Sequence, residues 1–106
     1  MLEKVTLNKI VTTIANAVKP KKIILFGSYA NGKANDESDL DLLVVVDKTD
    51  MPKYKRARAI RKHLWGMTDI PKDIVVYTEK EIDEWVGVQS SFISNILKYG
   101  QVLYEN

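Results

Sequence analysis

Residues 23–46 read IILFGSYANGKANDESDLDLLVVV, and this stretch decides the fold. Two short, continuous apolar runs flank a polar segment, and such runs, bounded by turn residues, are typical of buried β-strands. We therefore predict strands over 23–26 and 40–46, with one helical turn over 28–31. Because the intervening segment, about a dozen residues long, is short for a complete crossover helix, we predict that the two strands are antiparallel.

Helical patterns lie on both sides of this strand pair. Apolar residues recur at helical spacing over 4–18 and again over 52–66, which predicts an amphipathic helix in each range. The first pattern ends at Pro20, and Pro52 fits the first turn of the second helix, where its missing N–H costs nothing. A third apolar run over 73–77 predicts another strand.

The C-terminal region predicts two helical pieces and a last strand. Thr78 and Glu81 have the spacing of a capping box and are followed by a helical apolar stripe that Gly87 divides. Gly100 is predicted to end this stripe as a C′ glycine. Residues 102–104 then predict a short strand.

This order of elements predicts an α/β (α+β) architecture with a small mixed sheet flanked by helices. The chain has 106 residues, which fits one domain, and no interior linker divides it, so we predict a single domain over residues 1–106. The helix-and-strand order is expected to bury the apolar strands on both faces.

The composition excludes several classes of function. Because there is no cysteine, disulfides, thiolate catalysis and cysteine-based zinc sites are excluded. The formal net charge of +2 argues against nucleic-acid binding through bulk electrostatics. No apolar run approaches the ~20 residues of a membrane span, and the N-terminus lacks a signal-peptide core. We therefore expect a soluble, cytoplasmic protein that does not use a membrane.

Two carboxylates stand at the head of the second strand. Asp39 and Asp41 are two positions apart, so their side chains are expected on one face, with Cα atoms about 6.6–7 Å apart. Leu40 and Leu42 are expected to point the other way, into the core. The two acids repel unless a hard cation lies beside them, and Mg²⁺ prefers oxygen ligands and bridges carboxylates to phosphates. We predict that Asp39 and Asp41 bind Mg²⁺.

Asp73 is the third carboxylate of the predicted site. It heads the third strand much as Asp39 and Asp41 head the second, and the three acids converge if those strands are neighbours. Three acids around two Mg²⁺ ions support in-line phosphoryl displacement, in which the attacking hydroxyl is activated and the leaving pyrophosphate is neutralised. The predicted substrate is therefore a nucleoside triphosphate.

Gly27 and Ser28 are the predicted phosphate-binding pair. Gly27 lets the backbone approach a phosphate closely, and Ser28 offers a hydroxyl and an amide at the start of a helical turn. Taken alone, Gly-Ser is a common structural turn and Asp-x-Asp a charged strand end. Strand, Gly-Ser, polar loop, Asp-x-Asp and strand in succession form a far more specific pattern.

Other polar and aromatic residues have plainer interpretations. Residues 53–62 carry six basic side chains, which favour the solvated face of an amphipathic helix over a partner or nucleic-acid patch. His63 has no acid nearby in sequence, so a structural role is favoured over catalysis. Trp65 and Trp85 are interpreted as core or partner-contact residues, and Tyr29 as a packing residue that could also stack on a base.

The pattern Gly-Ser-x-Ala-x-Gly, a polar loop, Ser-Asp-x-Asp-Leu and a later Asp in a strand resembles the minimal nucleotidyltransferases of the DNA polymerase β superfamily. The resemblance covers nearly the whole chain and implies a polymerase-β-like fold, a mixed sheet flanked by helices. It implies that Gly27 and Ser28 bind the phosphates. It also implies that Asp39, Asp41 and Asp73 are the catalytic, metal-binding acids.

The chain departs from the family pattern at Asn31. The family often has arginine there, and asparagine can donate a hydrogen bond but cannot clamp a phosphate as a planar cation. This difference bears on the efficiency of triphosphate binding and not on the fold.

Small members of the family are similar to antitoxins whose partner is an all-helical HEPN toxin. That resemblance implies transfer of AMP from ATP to a tyrosine of the toxin, with the partner supplying the acceptor and completing the site. The alternative is a non-catalytic binding module that neutralises a helical partner by occlusion. A nucleotidyltransferase acting on a small molecule is a third alternative, disfavoured because no acceptor domain is evident. The base preference, and whether the chain forms a homo-oligomer, stay open.

Overall fold

The computed structural model describes residues 2–86, 88 and 91–106. The elements in order are α1 (Lys4–Val18), β1 (Lys22–Phe26), the 3₁₀ turn (Gly27–Tyr29), β2 (Leu40–Val46), α2 (Lys53–His63), β3 (Lys72–Thr78), α3 (Glu79–Val86), α4 (Phe92–Tyr99) and β4 (Gln101–Glu105). The predicted order of helices and strands is therefore confirmed.

The strands form one mixed sheet in the order β3-β2-β1-β4. β1 is antiparallel to both β2 and β4, as predicted for the first pair, whereas β2 and β3 are parallel. α2 makes the crossover between the two parallel strands. The register sets Asp41 of β2 opposite Phe26 on one side and Asp73 on the other. The mixed α+β sheet predicted from the sequence is confirmed.

Helices cover both faces of this sheet, so the central strand β2 is buried almost throughout. Leu40, Leu42 and Val44 belong to the core that packs under α1 and α2. Leu43 and Val45 belong to a second core, under α3 and α4. Because side chains alternate along a strand, Asp41 lies on the face of α3 and α4.

The second helix is shorter than its apolar stripe predicts. α2 ends at His63, not at residue 66, and Pro52 precedes it as the N-cap residue. The chain turns at this point because Met67 N–H donates to Leu64 O at 3.1 Å and Gly66 adopts a φ of 80°. A left-handed residue cannot continue a right-handed helix, so the turn ends the helix although the apolar pattern continues.

The predicted capping box joins β3 to α3. Thr78 N–H donates to Glu81 Oε1 at 2.8 Å, and Glu81 N–H donates to Thr78 Oγ1 at 3.1 Å. Each residue thus satisfies a backbone donor of the other, which confirms this prediction. The predicted division at Gly87 lies outside the described residues.

The fourth helix ends at Tyr99 as predicted, but for a different reason. Gly100 has a φ of −76° and is extended, so it is not a left-handed C′ glycine. A Cβ on Gly100 would lie 2.6 Å from Ile24 Cγ2 and 3.0 Å from Leu25 O. Glycine is required here because the helix end lies directly against β1.

The helices of the described chain all lack the combination of length and apolar character that a membrane span requires.

Candidate functional site

The turn after β1 is built around a glycine in contact with a carboxylate. Gly27 has a φ of 75°, in the left-handed region that favours glycine. A Cβ at this position would overlap Asp41 Oδ2 and would lie 3.1 Å from Asp41 Cγ. The backbone of the turn therefore lies directly against the side chain of Asp41, on the edge of the sheet where β1 ends and β2 begins.

Ser28 follows in the same turn. Its carbonyl oxygen accepts a hydrogen bond from Lys33 N–H at 3.0 Å, and Gly27 O accepts from the amides of Ala30 and Asn31. These bonds hold the loop in one conformation. Within the described part of the chain, the hydroxyl of Ser28 has no hydrogen-bond partner, so it is free to bind a ligand.

Asp41 and Asp73 are direct partners across the parallel strands β2 and β3. Neighbouring strands are about 4.8 Å apart, so the two Cα atoms are close, and both side chains lie on the face of α3 and α4. Asp39 precedes β2 by one residue and is exposed. The structure thus brings Asp41 and Asp73 together at one edge of the sheet and places Asp39 beside them.

The electrostatics of this edge are unfavourable for ionised acids. Burial raises the pKa of Asp41, and the negative charges of Asp73 and Asp39 raise it further. Among residues 2–86, 88 and 91–106, no ion pair neutralises any of the three. A cation placed at this edge would remove the repulsion.

The three acids fit Mg²⁺ by chemistry, since each supplies hard oxygen donors. They are not gathered into a preformed cage, because no group of three or more histidine, cysteine, aspartate or glutamate side chains in the described chain is arranged to hold a metal ion. Asp39 precedes the strand that carries Asp41, and Asp39 and Asp73 are both exposed, whereas Asp41 is half-buried.

A groove adjoins the Gly27 turn on the same face of the sheet. Its volume is about 200 Å³, and its far wall is α4. The residues that line it come from the β1 turn and from one stripe of α4: Phe26, Gly27, Ala30, Asn31, Phe92, Asn95, Ile96, Tyr99 and Gly100. Asn31, the residue at which the sequence departs from the pattern it resembles, is exposed and accepts a hydrogen bond from Lys33 N–H through Oδ1.

Sequence reasoning missed the contribution of α4 and β4 to this groove. Gln101 Nε2 donates to Ala30 O at 2.9 Å and so ties the start of β4 to the loop after β1. The two residues are 71 positions apart, and no local pattern connects them. The apolar stripe of α4 was visible, but the strand order that sets it beside Gly27 was not.

The other residues considered in the sequence analysis lie outside this edge and are surface or structural residues. Trp65 is 91% exposed and His63 is exposed, so neither is a core residue, and Trp85 is also exposed. Tyr29 packs against the core under α1 and α2. The basic side chains of α2 are exposed as predicted, except that of Arg56, which is 10% exposed.

Comparisons of the sequence with a known family and with individual relatives agree with one another. The nucleotidyltransferase domain family matches residues 7–103. A putative protein adenylyltransferase of Methanocaldococcus jannaschii is 33% identical over 103 residues, covering 91% of this chain and 96% of the relative. A second putative protein adenylyltransferase of that organism is 34% identical over 89 residues, covering 82% of this chain and 84% of the relative.

Solved structures share the fold. A putative nucleotidyltransferase from Sulfolobus solfataricus superposes with a TM-score of 0.66 at 22% identity, covering 95% of this chain and 78% of that one. A toxin–antitoxin structure with AMP-PNP gives a TM-score of 0.66 at 24% identity, covering 93% of this chain and 73% of that one. At these identities the likeness establishes the architecture.

Proposed function

Because the chain belongs to the nucleotidyltransferase domain family, we propose that it transfers AMP from ATP to a hydroxyl group of a partner protein. The observation that carries the proposal is the position of Asp41. The Asp41 carboxylate lies against the Gly27 backbone, and Asp41 is paired with Asp73 on the neighbouring strand. A triphosphate bound at the turn would therefore meet the acids directly.

In this reaction the oxygen of the acceptor hydroxyl attacks the α-phosphorus of ATP. The bond from that phosphorus to the oxygen of the β-phosphate breaks, and pyrophosphate leaves. Ser28 and the Gly27 turn hold the phosphates, since the Ser28 hydroxyl has no partner in the described chain. Asp73 takes the proton of the acceptor hydroxyl, and its exposed position lets a bulky acceptor reach it.

Two Mg²⁺ ions are proposed to bind Asp39, Asp41 and Asp73, where they would activate the acceptor oxygen and neutralise the charge of the phosphates. The support for this assignment is the uncompensated negative charge at the edge of the sheet, where burial first and then the charges of Asp73 and Asp39 raise the pKa of Asp41. The three side chains supply the oxygen donors that this ion prefers.

We propose that the whole chain works as one nucleotidyltransferase domain and that the acceptor is a tyrosine of a HEPN-type helical toxin, which makes this protein the antitoxin. Three observations support a protein partner. The relatives are named as putative protein adenylyltransferases, and a protein of the same fold is part of a toxin–antitoxin structure. The acids lie at an exposed edge, where a second protein can approach them.

The test is transfer of label from α-³²P-ATP, with Mg²⁺, to a HEPN-type helical protein offered as the acceptor. We expect Asp41→Asn to lower labelling by about 10³-fold or more, because it removes a carboxylate charge that is proposed to act on the metal and the bound phosphates. The matched control is Asp50→Asn, an exposed aspartate beyond the opposite end of β2, which should label as the wild type does.

If the Asp41→Asn variant is folded by circular dichroism and labels the acceptor as well as the wild type does, the catalytic assignment is wrong. Tight partner binding without labelling, together with no Mg²⁺-dependent ATP binding in calorimetry, establishes instead the non-catalytic module that acts by occlusion. The absence of a positive charge at Asn31 is the one observation in favour of that alternative.

A further inference from the structure

We propose that the groove between the Gly27 turn and α4 binds the base of the nucleoside triphosphate and that Asn95 selects adenine. This inference rests on the proposed function, because it assigns a second part of the same substrate. It goes beyond that function by naming the residues that hold the base and set its identity.

The size and position of the groove fit a base and not a whole nucleotide. Drug-sized ligands occupy pockets of about 300–1,000 Å³, and this groove measures about 200 Å³. It shares Gly27 and Asn31 with the loop proposed to hold the phosphates. A base in the groove would therefore leave its phosphates at the turn, on the face of the sheet that carries Asp41.

The lining of the groove has the chemistry of a stacking site. Tyr99 and Phe92 line the groove and are 68% and 50% exposed, so both rings are accessible to a ligand. The rings of Phe26 and Phe92 meet edge to face at 5.4 Å and 86°, so the orientation of Phe92 is fixed. Lys98 Nζ lies 5.2 Å from the centroid of the Tyr99 ring, which shows that this ring accepts a planar or cationic neighbour on its face.

Asn95 lies between these aromatic residues on α4, three positions after Phe92 and four before Tyr99. Its side-chain amide has no hydrogen-bond partner within residues 2–86, 88 and 91–106. An asparagine amide both donates and accepts, which matches the paired acceptor and donor on an edge of adenine. Asn31 is less suited to this role, because its Oδ1 already accepts from Lys33 N–H.

The walls of the groove are held in place before any ligand binds. Gly100 lets the end of α4 lie against β1, where any Cβ would meet Ile24 Cγ2. The hydrogen bond from Gln101 Nε2 to Ala30 O holds the loop after β1 at the same spot. A preformed site of this kind loses little entropy when a rigid base enters.

The experiment measures the binding of Mg–ATP, Mg–GTP and Mg–tripolyphosphate to the full chain by calorimetry. We expect Tyr99→Ala to weaken Mg–ATP about tenfold, as expected for loss of a stacking contact, and to leave Mg–tripolyphosphate unchanged. The matched control is Tyr54→Ala, since Tyr54 is 73% exposed on α2, which packs on the other face of the sheet.

The selection of adenine is tested separately. Asn95→Ala should reduce the preference for Mg–ATP over Mg–GTP about tenfold, because it removes the paired hydrogen bonds to the base. Asn16→Ala, an exposed asparagine of α1, is the control and should keep the wild-type preference.

The outcomes separate this inference from the proposed function. A wild-type chain that binds neither Mg–ATP nor Mg–tripolyphosphate overturns both. If the wild type binds Mg–ATP and Tyr99→Ala binds it as Tyr54→Ala does, the base site is wrong and the proposed function stands. If Tyr99→Ala weakens only the binding of the protein partner, the groove contacts that partner and the base site is again wrong.

Discussion

The acidic side chains at the two ends of the parallel pair β2 and β3 have opposite electrostatic environments. At the end where β3 begins, Asp41 and Asp73 face each other, and within the described chain neither has a basic partner. At the end where β3 finishes, Glu81 is bound by two cations and by a backbone amide. The same short chain therefore contains one acid site that is compensated and one that is not.

The compensated end is a structural network. Arg56 donates to Glu81 Oε1 at 2.7 Å, to Val76 O at 3.2 Å and to Met51 O at 3.0 Å. Burial alone would raise the pKa of Glu81, but the bonds and charges of Arg56, the amide of Thr78 and the charge of Lys53 outweigh it and lower the pKa to about 2. The carboxylate is thus stabilised in its ionised form.

The uncompensated end has the opposite electrostatics, since burial and neighbouring acids raise the pKa of Asp41. Keeping like charges together costs stability, and such arrangements concentrate at functional sites, where a ligand supplies the missing charge. We infer from this comparison that Glu81 serves the fold, and it supports the proposal that Asp41 serves a ligand. The following substitutions test that difference, from the largest expected effect on stability to the smallest.

Arg56→Ala is expected to lower the free energy of unfolding by about 3 kcal/mol. It removes the Arg56 donor from a partly buried carboxylate and from two backbone carbonyl groups. Urea denaturation followed by circular dichroism measures the change. Arg58→Ala, an exposed neighbour on α2, is the control and should stay within about 0.5 kcal/mol of the wild type. Equal stability of the two variants would show that the network is not structural.

Gly27→Ala is expected to cost about 2 kcal/mol, against about 1 kcal/mol for Gly32→Ala. The two glycines share nearly the same backbone conformation, with φ values of 75° and 76°. A Cβ at Gly32 meets nothing within 4 Å, whereas one at Gly27 overlaps the carboxylate of Asp41. The difference between the free energies of unfolding of the two variants therefore measures the effect of the contact with Asp41. Equal values for the two variants would show that this contact does not affect stability.

Glu81→Gln is expected to cost about 1 kcal/mol at pH 7, because the ion pairs with Arg56 and Lys53 are lost while the capping geometry is kept. The folded-state pKa is depressed, so the contribution of Glu81 is fully present above its ordinary pKa of 4.5 and is lost as pH falls through about 2. Thermal unfolding of both proteins between pH 7 and pH 2 should therefore converge. A gap that persists at pH 2 would assign the effect to packing.

Asp41→Asn is expected to have the smallest effect on the fold, a gain of at most about 1 kcal/mol at pH 7. The pKa of Asp41 is raised in the folded state, so its ionisation opposes folding above that pKa and has no effect below the ordinary value of 3.8. The gain should therefore vanish in acid. Mg²⁺ should stabilise the wild type more than the variant in the same thermal scans, and an equal response would argue against metal binding at this edge.

Much of the architecture follows from local patterns. The unbroken apolar run of β2 predicts a strand buried on both faces, and both of its faces are covered. The length of the segment after Gly27 predicts an antiparallel first pair, which is confirmed. Helix ends were harder to predict, because Gly66 stops α2 within a continuing apolar stripe and Gly100 acts through contact with β1.

Prediction of the candidate site was more limited. Spacing predicted Asp39 and Asp41 as candidate metal ligands, but the approach of Gly27 to the Asp41 carboxylate depends on the turn after β1 folding back against β2. Arg56 looked like one member of a solvated basic run, and only the crossover of α2 beside β3 shows that it is held by Val76 and Glu81. Long-range contacts of this kind leave no periodic signal in the chain.

The sequence by itself determined the residue types that can do the chemistry and the strands and turn that carry them, because hydrophobic alternation and glycine placement act over a few neighbouring residues. Only the tertiary structure decided which groups meet. The parallel register of β2 and β3 sets Asp41 opposite Asp73, and the packing of α4 against β1 forms the groove beside Gly27. Both depend on how whole elements pack across the sheet, and that packing is fixed by the shared core and not by any local segment.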